Sequence, residues 1–221
     1  MNDKQRVAEH AAQRIEKGML VGLGTGSTAN FFIEALARRQ DSLQVQVVAS
    51  SVVSAIKAQD LGLPLRGIEQ VSRLDVYVDG ADEVTTDLTL LKGRGADLVR
   101  EKLLAKASEA FWVLIDPSKQ VQRIGQNSPI PIEVMPFAWQ LVQRSLADIG
   151  GEALLRRNGD GLFVTSYGSL VLDTTFAPAM DAATLNDRLN AIPGIVEHGI
   201  FKGLATTVFC GRDGNVDEYQ A

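Results

Sequence analysis

Carboxylates and a lysine follow two predicted strands of this sequence, where α/β enzymes often place their reactive groups. Asp79 and Asp82 come at the end of an apolar strand predicted at 76–79, and Lys92 follows another predicted at 88–91. Carboxylates transfer protons, and an ammonium group stabilises negative charge that develops on oxygen. The same aspartates also suit a capped turn or a Mg²⁺ site, although nothing in their spacing requires a metal.

Two further candidates come later in the chain. Glu101 lies within an Arg-Glu-Lys triplet of a helix predicted at 96–108. Taken alone, such a triplet is more typical of a solvent-exposed helix face with salt bridges than of a reactive site. Lys119 ends a polar Asp-Pro-Ser-Lys segment after a strand predicted at 111–115, where a plain proline turn is the alternative.

A glycine-rich loop at 22–28, Gly-Leu-Gly-Thr-Gly-Ser-Thr, separates a predicted strand from a helix. Backbone N–H groups at a helix N-terminus bind anions such as phosphate, and Thr25, Ser27 and Thr28 add hydroxyl donors. A dinucleotide fingerprint would need glycine in place of Ser27, and a Walker A loop would need a lysine, so neither motif fits. A tight turn without a ligand is the alternative. Because polar loops follow four predicted strands, we expect them to meet at one end of a sheet.

Composition narrows the classes of function. The 221 residues carry 22 basic and 27 acidic side chains, a net charge of −5, which does not favour DNA or RNA as a partner. Two histidines and one cysteine leave too few ligands for a His/Cys zinc site, and a single cysteine forbids an intrachain disulfide. The polar N-terminal segment lacks the apolar core of a secretory signal, and no apolar run is long enough to span a membrane. We therefore expect a cytoplasmic protein without nucleic-acid or membrane partners.

Alternating strands and helices predict an α/β fold. We expect a Rossmann-like parallel sheet with helices on both faces, formed by residues 1–127 and 202–221 as the catalytic domain. Prolines make 129–134 a predicted linker. Residues 128–201 follow the order helix, strand, strand, strand, helix, strand, which predicts a smaller ferredoxin-like α+β domain. A strand at 205–210 is expected to return to the first domain.

Together, the motifs carry a family signature over nearly the whole chain. The sequence resembles the ribose-5-phosphate isomerase type A family, although each block alone is weak. The matching blocks occur in the family's order: Gly-Thr-Gly-Ser-Thr at 24–28, Ser-Ser at 50–51, Asp-Gly-Ala-Asp-Glu at 79–83, Lys-Gly-Arg-Gly at 92–95, Arg-Glu-Lys at 100–102, Asp-Pro-Ser-Lys at 116–119 and Pro-Ile-Glu-Val at 131–134.

The resemblance implies an aldose–ketose isomerase that interconverts D-ribose 5-phosphate and D-ribulose 5-phosphate through an enediol(ate), in the non-oxidative pentose phosphate pathway. It implies that Glu101 is the general base and that Lys92 stabilises the enediolate oxygen. Asp79 and Asp82 would assist ring opening and proton transfer at the sugar oxygens. Lys4 matches a basic residue that assists phosphate binding. The implied substrate-binding residues are Thr25, Gly26, Ser27, Thr28, Asp79, Gly80, Ala81, Asp82, Lys92, Gly93, Arg94, Gly95 and Lys119.

The resemblance also implies a homodimer without a metal or organic cofactor. Two features depart from the family pattern. Arg94 replaces a glycine of the substrate loop, and Thr-Ser-Tyr-Gly at 165–168 replaces an Asp/Asn-Gly turn. We expect the second departure to affect dimer or domain packing more than activity.

Two alternatives belong to other classes of function. One is a phosphosugar sensor without turnover, although the retained Glu101 favours chemistry. The other is an aminosugar deaminase or a lactonase. Those enzymes usually rely on a catalytic histidine, and neither His10 nor His198 lies in a candidate loop.

Overall fold

Strands and helices alternate in the computed structural model, which describes residues 2–95, 97–177 and 180–221. The helices in these ranges are α1 (Asp3–Gln13), α2 (Ser27–Ala37), α3 (Gln40–Leu43), α4 (Val52–Asp60), α5 (Leu98–Ala107), α6 (Trp139–Asp148) and α7 (Ala182–Asn190). The strands are β1 (Leu20–Leu23), β2 (Gln46–Ala49), β3 (Leu74–Gly80), β4 (Glu83–Val84), β5 (Leu90–Leu91), β6 (Ser108–Ile115), β7 (Ile130–Val134), β8 (Gly151–Leu155), β9 (Arg157–Asn158), β10 (Gly161–Leu162), β11 (Leu170–Phe176), β12 (Ile195–His198), β13 (Ile200–Phe201), β14 (Thr207–Arg212) and β15 (Asn215–Gln220). The predicted helix start at Ala96 falls outside the described residues.

The chain divides into two compact units. The described residues of the first unit lie in 2–81, 100–119 and 203–221, and those of the second lie in 82–99 and 120–202. The second unit therefore takes in 82–99, 120–127 and Lys202, which the sequence prediction assigns to the catalytic domain. The two units are defined by contacts between residues and not by function, so the boundaries of the catalytic domain stay a prediction.

A mostly parallel sheet forms the centre of the first unit. Its strand order in the described residues is β15-β14-β6-β3-β1-β2, and every neighbouring pair except β15 with β14 is parallel. This confirms the predicted α/β, Rossmann-like class, and β14 is the predicted returning strand. The sequence pattern does not predict β15, because its largely polar residues show no clear apolar alternation. Backbone hydrogen bonds to β14 place it at the sheet edge.

The central strands are buried on both faces, which explains their nearly continuous apolar sequence. In β3, Val76 and Val78 belong to a core cluster that also contains residues of α1 and α2. Tyr77 points to the opposite face, where its ring stacks on Phe111 of β6 with centroids 4.9 Å apart. Since alternate strand residues face opposite sides of a sheet, Asp79 lies on the same side as Tyr77.

The second unit contains an antiparallel sheet of β12-β7-β11-β8, with α6 after β7 and α7 before β12. This arrangement is ferredoxin-like, as predicted. The predicted linker at 129–134 is wrong, because Ile130–Val134 forms β7 at the centre of this sheet. Pro131 is only the second residue of the strand, where a missing N–H is tolerated. Burial of Ile132 and Val134 in the core then outweighs the proline signal.

A smaller sheet in the second unit leads into Lys92. Its order is β13-β5-β4 with antiparallel pairs, and Lys92 directly follows β5. The expectation that all four polar loops follow strands of one sheet is therefore wrong for the Lys92 loop. A two-residue strand has too little periodicity to show which sheet it joins, and the β13 partner of β5 lies far along the chain.

Glu83 anchors the segment before β7. Its fully buried carboxylate accepts hydrogen bonds from the backbone N–H groups of Gly125 (2.7 Å), Gln126 (3.3 Å), Asn127 (2.6 Å) and Ser128 (2.9 Å). A buried carboxylate is tolerated when its oxygens are satisfied in this way. Glu83 therefore holds a turn in place, which is a structural role within the Asp-Gly-Ala-Asp-Glu segment.

We predict that Glu83→Gln lowers the free energy of unfolding by about 2–4 kcal/mol, because the new amide nitrogen faces N–H donors that then lack an acceptor. Urea denaturation followed by circular dichroism measures the change. Glu152→Gln makes the same change at an exposed position of β8 and should shift the free energy by less than about 0.5 kcal/mol. Equal unfolding free energies for the two variants would contradict the anchoring role of Glu83.

Candidate active site

The glycine loop joins β1 to α2 and leaves the start of the helix open. Gly26 is the N-cap with φ of +108°, and in the described part of the chain no side chain caps this helix. Its first-turn amides therefore suit an anion. Ser27 is exposed and Thr28 half-buried, and the Lys4 ammonium group donates to the Ser27 hydroxyl at 3.2 Å. The structure thus brings a cation, hydroxyls and a helix N-terminus together.

Hydroxyl groups fix the other end of this loop. The Thr25 Oγ1 lies 3.0 Å from the hydroxyl of Ser50, 2.8 Å from that of Ser51 and 3.3 Å from that of Ser54. Ser54 also donates to the Gly24 carbonyl at 2.6 Å. Sequence reasoning missed Ser54. Its spacing of three from the N-cap Ser51 is a signal that could have found it, because a cap hydroxyl accepts from the N–H three residues on.

Asp79 is the second-to-last residue of β3, and its carboxylate is fully buried. Its Oδ1 accepts from the N–H of Thr25 at 3.0 Å and from that of Gly80 at 2.7 Å, and its Oδ2 accepts from the Tyr77 hydroxyl at 2.5 Å. The aspartate is therefore tied directly to the glycine loop, as its predicted place at a strand end requires.

Tyr77 is a further residue that the sequence analysis missed. Burial raises its pKa well above the usual range, and the negative charges of Asp79 and Glu101 raise the pKa further. The signal in the sequence is its spacing of two from Asp79, which places both side chains on one face of a strand. Tyr77 therefore lies among the polar groups of the predicted site.

Glu101 lies in the first turn of α5, and only 3% of its surface is exposed. Lys102 is 5% exposed, so the interpretation of this triplet as a solvent-exposed helix face is wrong. The reason is tertiary: the Arg100 guanidinium donates to the Ala49 carbonyl at 2.8 Å, which fixes α5 against the end of β2. The first unit thus brings Glu101 within electrostatic reach of Tyr77, beside Asp79.

Lys92 is a candidate site residue that lies in the second unit. It is buried, its N–H donates to the Gly199 carbonyl at 2.9 Å, and its Nζ lies 5.6 Å from the ring centroid of Phe201. The next residue, Gly93, has φ of +94°, and a Cβ there would meet the Leu98 side chain at 2.8 Å. The loop after Lys92 therefore requires glycine at this position.

Arg156 supports the same loop from the ferredoxin-like sheet. Its guanidinium binds Asp173 through two nitrogens, at 2.8 and 2.5 Å, and donates a third hydrogen bond to the Arg94 carbonyl at 3.1 Å. Arg94 itself is exposed, as is Gly95. The Ser166 hydroxyl donates to Asp97 at 3.1 Å. The unusual turn at 165–168 thus contacts the segment just after the predicted substrate loop.

The remaining predicted residues occupy different places. The Asp82 N–H donates to the Leu91 carbonyl at 2.8 Å, which sets Asp82 beside the strand that leads into Lys92. Gly80 and Ala81 are half-buried at the end of β3. Lys119 is half-buried in a 3₁₀ turn at Pro117–Lys119, directly after β6.

The histidines have structural contacts. His198 is fully buried; its Nδ1 accepts from the Ile200 N–H at 3.3 Å, and its Nε2 lies 3.2 Å from the Asn190 Oδ1. His10 packs edge-on against Phe209. Within the described residues, no group of three or more His, Cys, Asp or Glu side chains has an arrangement that could hold a metal ion. The helices of that part of the chain are also too short or too polar to cross a membrane.

Comparison with known proteins identifies relatives along the chain. A family model described as ribose 5-phosphate isomerase A (phosphoriboisomerase A) matches residues 46–215. The ribose-5-phosphate isomerase A of Roseiflexus sp. (strain RS-1) is 43% identical, and the match covers 97% of this chain and 94% of that protein. The protein of the same name from Gloeobacter violaceus is 40% identical with the same coverage.

Solved structures give the same result. Ribose 5-phosphate isomerase A from Methanocaldococcus jannaschii is similar with a TM-score of 0.93 at 36% identity, over 99% of this chain and 98% of that chain. A D-ribose-5-phosphate isomerase in complex with phospho-erythronic acid has a TM-score of 0.95 at 36% identity over the full length of both chains. The chain therefore belongs to the ribose 5-phosphate isomerase A family.

Proposed function

We propose that this chain interconverts D-ribose 5-phosphate and D-ribulose 5-phosphate through an enediol(ate), in the non-oxidative pentose phosphate pathway. Family membership supports this activity, and a relative in complex with phospho-erythronic acid supports a phosphorylated sugar as substrate. The observation that carries the proposal is the buried carboxylate of Glu101 at the start of α5, close to the Tyr77–Asp79 pair.

Glu101 is the general base in this proposal. Isomerisation moves a proton between C2 and C1 of the sugar, so one positioned carboxylate both removes the proton and returns it. Burial excludes water that would compete for this proton. The positive end of the α5 dipole stabilises the carboxylate charge, because Glu101 lies in the first helical turn.

The glycine loop binds the phosphate group. Thr25, Gly26, Ser27 and Thr28 offer backbone N–H groups and hydroxyls, and Lys4 adds a positive charge beside Ser27. This attraction is local. A chain with a net charge of −5 can therefore bind one small anion through a few local donors. The same net charge does not favour binding of DNA or RNA, which needs many positive side chains.

Asp79 and Asp82 serve ring opening and proton transfer at the sugar oxygens. Lys92 stabilises the enediolate oxygen, since a buried ammonium group acts on nearby charge with little screening by water. The remaining substrate contacts are assigned to Gly80, Ala81, Gly93, Arg94, Gly95 and Lys119. Most of these residues are small, which lets a ligand approach the backbone closely.

We also propose a cytoplasmic homodimer that needs no metal or organic cofactor. Side chains supply both proton transfer and charge stabilisation in this scheme. The single cysteine, Cys210, is buried and suits a reducing compartment. Phe137 and Leu141 are 84% and 71% exposed, and a second copy of the chain would bury such apolar surface. Light scattering at several protein concentrations tests the dimer.

Turnover of ribose 5-phosphate with EDTA present tests the activity directly. We expect formation of ribulose 5-phosphate at the same rate with and without the chelator. Binding of ribose 5-phosphate without any product would favour the phosphosugar sensor and refute the isomerase. Loss of turnover on addition of EDTA would refute metal independence alone.

We predict that Glu101→Gln lowers kcat by about three orders of magnitude or more with little change in KM, because the amide cannot accept the substrate proton. Steady-state kinetics with ribose 5-phosphate measure both constants. Glu16→Gln, the same change at an exposed position of the first unit, should leave both constants unchanged. Near-normal kcat in Glu101→Gln would refute its assignment as the base.

We predict that Arg156→Lys raises KM by about 5- to 20-fold while kcat changes by less than about threefold, because an ammonium group cannot hold Asp173 and the Arg94 carbonyl in the same planar geometry. A looser loop after Lys92 would then bind the substrate less well. The neighbouring exposed Arg157 supplies the control, and Arg157→Lys should show wild-type kinetics. An unchanged KM in Arg156→Lys would show that this support is irrelevant to substrate binding.

A further inference from the structure

Tyr77 contacts Asp79, to which the proposed function gives a task in ring opening and proton transfer. Its hydroxyl donates to the Asp79 Oδ2 at 2.5 Å. Ser50 lies 3.0 Å from the Thr25 Oγ1, and the Thr25 N–H donates to the Asp79 Oδ1 at 3.0 Å. These contacts form a chain of four residues, in which Asp79 lies between Tyr77 and Thr25 of the glycine loop, and Thr25 contacts Ser50.

The tyrosine ring is fixed by the neighbouring strands. It stacks on Phe111 of β6 at an interplanar angle of 22°, and Phe111 is also its register partner. On the other side, the register partner in β1 is Gly22, where a Cβ would come within 2.7 Å of the tyrosine Cδ2. The ring therefore has one orientation, and its hydroxyl has a defined direction towards Asp79.

The hydroxyl of Tyr77 acts as a donor to Asp79. Burial first, and the charges of Asp79 and Glu101 next, raise the pKa of Tyr77 well above its usual value. The phenol therefore keeps its proton throughout the neutral range. A hydrogen bond from a neutral hydroxyl to a carboxylate is charge-assisted and stronger than one between neutral groups.

We propose that Tyr77 is a positioning residue of the isomerase reaction: it holds the Asp79 carboxylate in the orientation that the reaction needs, while the other carboxylate oxygen accepts from the Thr25 N–H of the glycine loop. This inference rests on the proposed function. Tyr77 is fully buried and acts through its hydrogen bond to Asp79, and we assign it no direct contact with the substrate.

Tyr77→Phe removes the hydroxyl and keeps the ring that stacks on Phe111. We expect kcat to fall about 10- to 100-fold, the range that corresponds to loss of a hydrogen bond to a charged group, while KM changes by less than about threefold. Tyr219→Phe makes the same change on β15 and should show wild-type constants. An unaltered kcat in Tyr77→Phe would overturn the proposal.

A double-mutant cycle separates positioning from a general structural role. In the Asp79→Asn background, Tyr77→Phe should lower kcat by less than a further factor of about three, because the carboxylate that it positions is already absent. The same fold loss in both backgrounds would mean that Tyr77 acts independently of Asp79, and the proposal would be wrong.

A second variant and the activity of the wild-type protein complete the test. If Tyr77→Phe does not fold, Phe111→Leu takes its place, since it removes the ring on which Tyr77 stacks and so loosens the direction of the tyrosine hydroxyl. A kcat about 3- to 10-fold lower with an unchanged KM supports the proposal, and an unchanged kcat contradicts it. Absence of turnover in the wild-type protein contradicts the proposed function, whereas an active wild type with unaffected variants contradicts only the role of Tyr77.

Discussion

Burial of the Asp79 carboxylate is the constraint on which the first unit's candidate site depends. A charge that is removed from water costs several kcal/mol unless hydrogen-bond donors replace the lost hydration. Two backbone N–H groups, from Thr25 and Gly80, and the hydroxyl of Tyr77 supply this replacement. Because these donors must reach the carboxylate, the glycine loop and the end of β3 both run past Asp79. The same need for a donor explains why a tyrosine, and not an apolar residue, occupies the fully buried position 77.

The same constraint explains glycines that a phosphate site alone would not require. A Cβ on Gly24 would overlap the Asp79 carboxylate, and a Cβ on Gly22 would press on the Tyr77 ring. Gly26 differs, because it is the N-cap of α2 with a positive φ and a Cβ there would meet open space. The Gly-Leu-Gly-Thr-Gly pattern thus combines packing against the aspartate with a helix N-terminus to which the proposed function assigns the phosphate.

Sequence periodicity predicts the elements that depend on local patterning and fails where distant partners decide. Strands such as β1 and β3 are apolar runs with a glycine or an aspartate at their ends, and they lie within a few residues of the predicted positions. The prolines conceal β7, and the polar residues of β15 conceal an edge strand. The pairing partners of β7 lie far along the chain, so no local window contains their signal. β15 instead pairs with the adjacent β14 across an Asp213-Gly214 turn, a local hairpin signal that the sequence analysis missed. The burial of Glu101 likewise depends on Arg100 reaching the Ala49 carbonyl across the first unit.

The sequence by itself determined the α/β class, the order of the blocks and the family resemblance, because glycines, caps and apolar runs act over a few neighbouring residues. It also limited the chemistry to carboxylates, lysines and hydroxyls, since histidine and cysteine are scarce. Only the tertiary structure decided which side chains are buried together. Tyr77, Ser54 and Arg156 gain their importance from partners on other elements, and the free energy of a buried charge depends on those partners and not on the residue's neighbours in sequence.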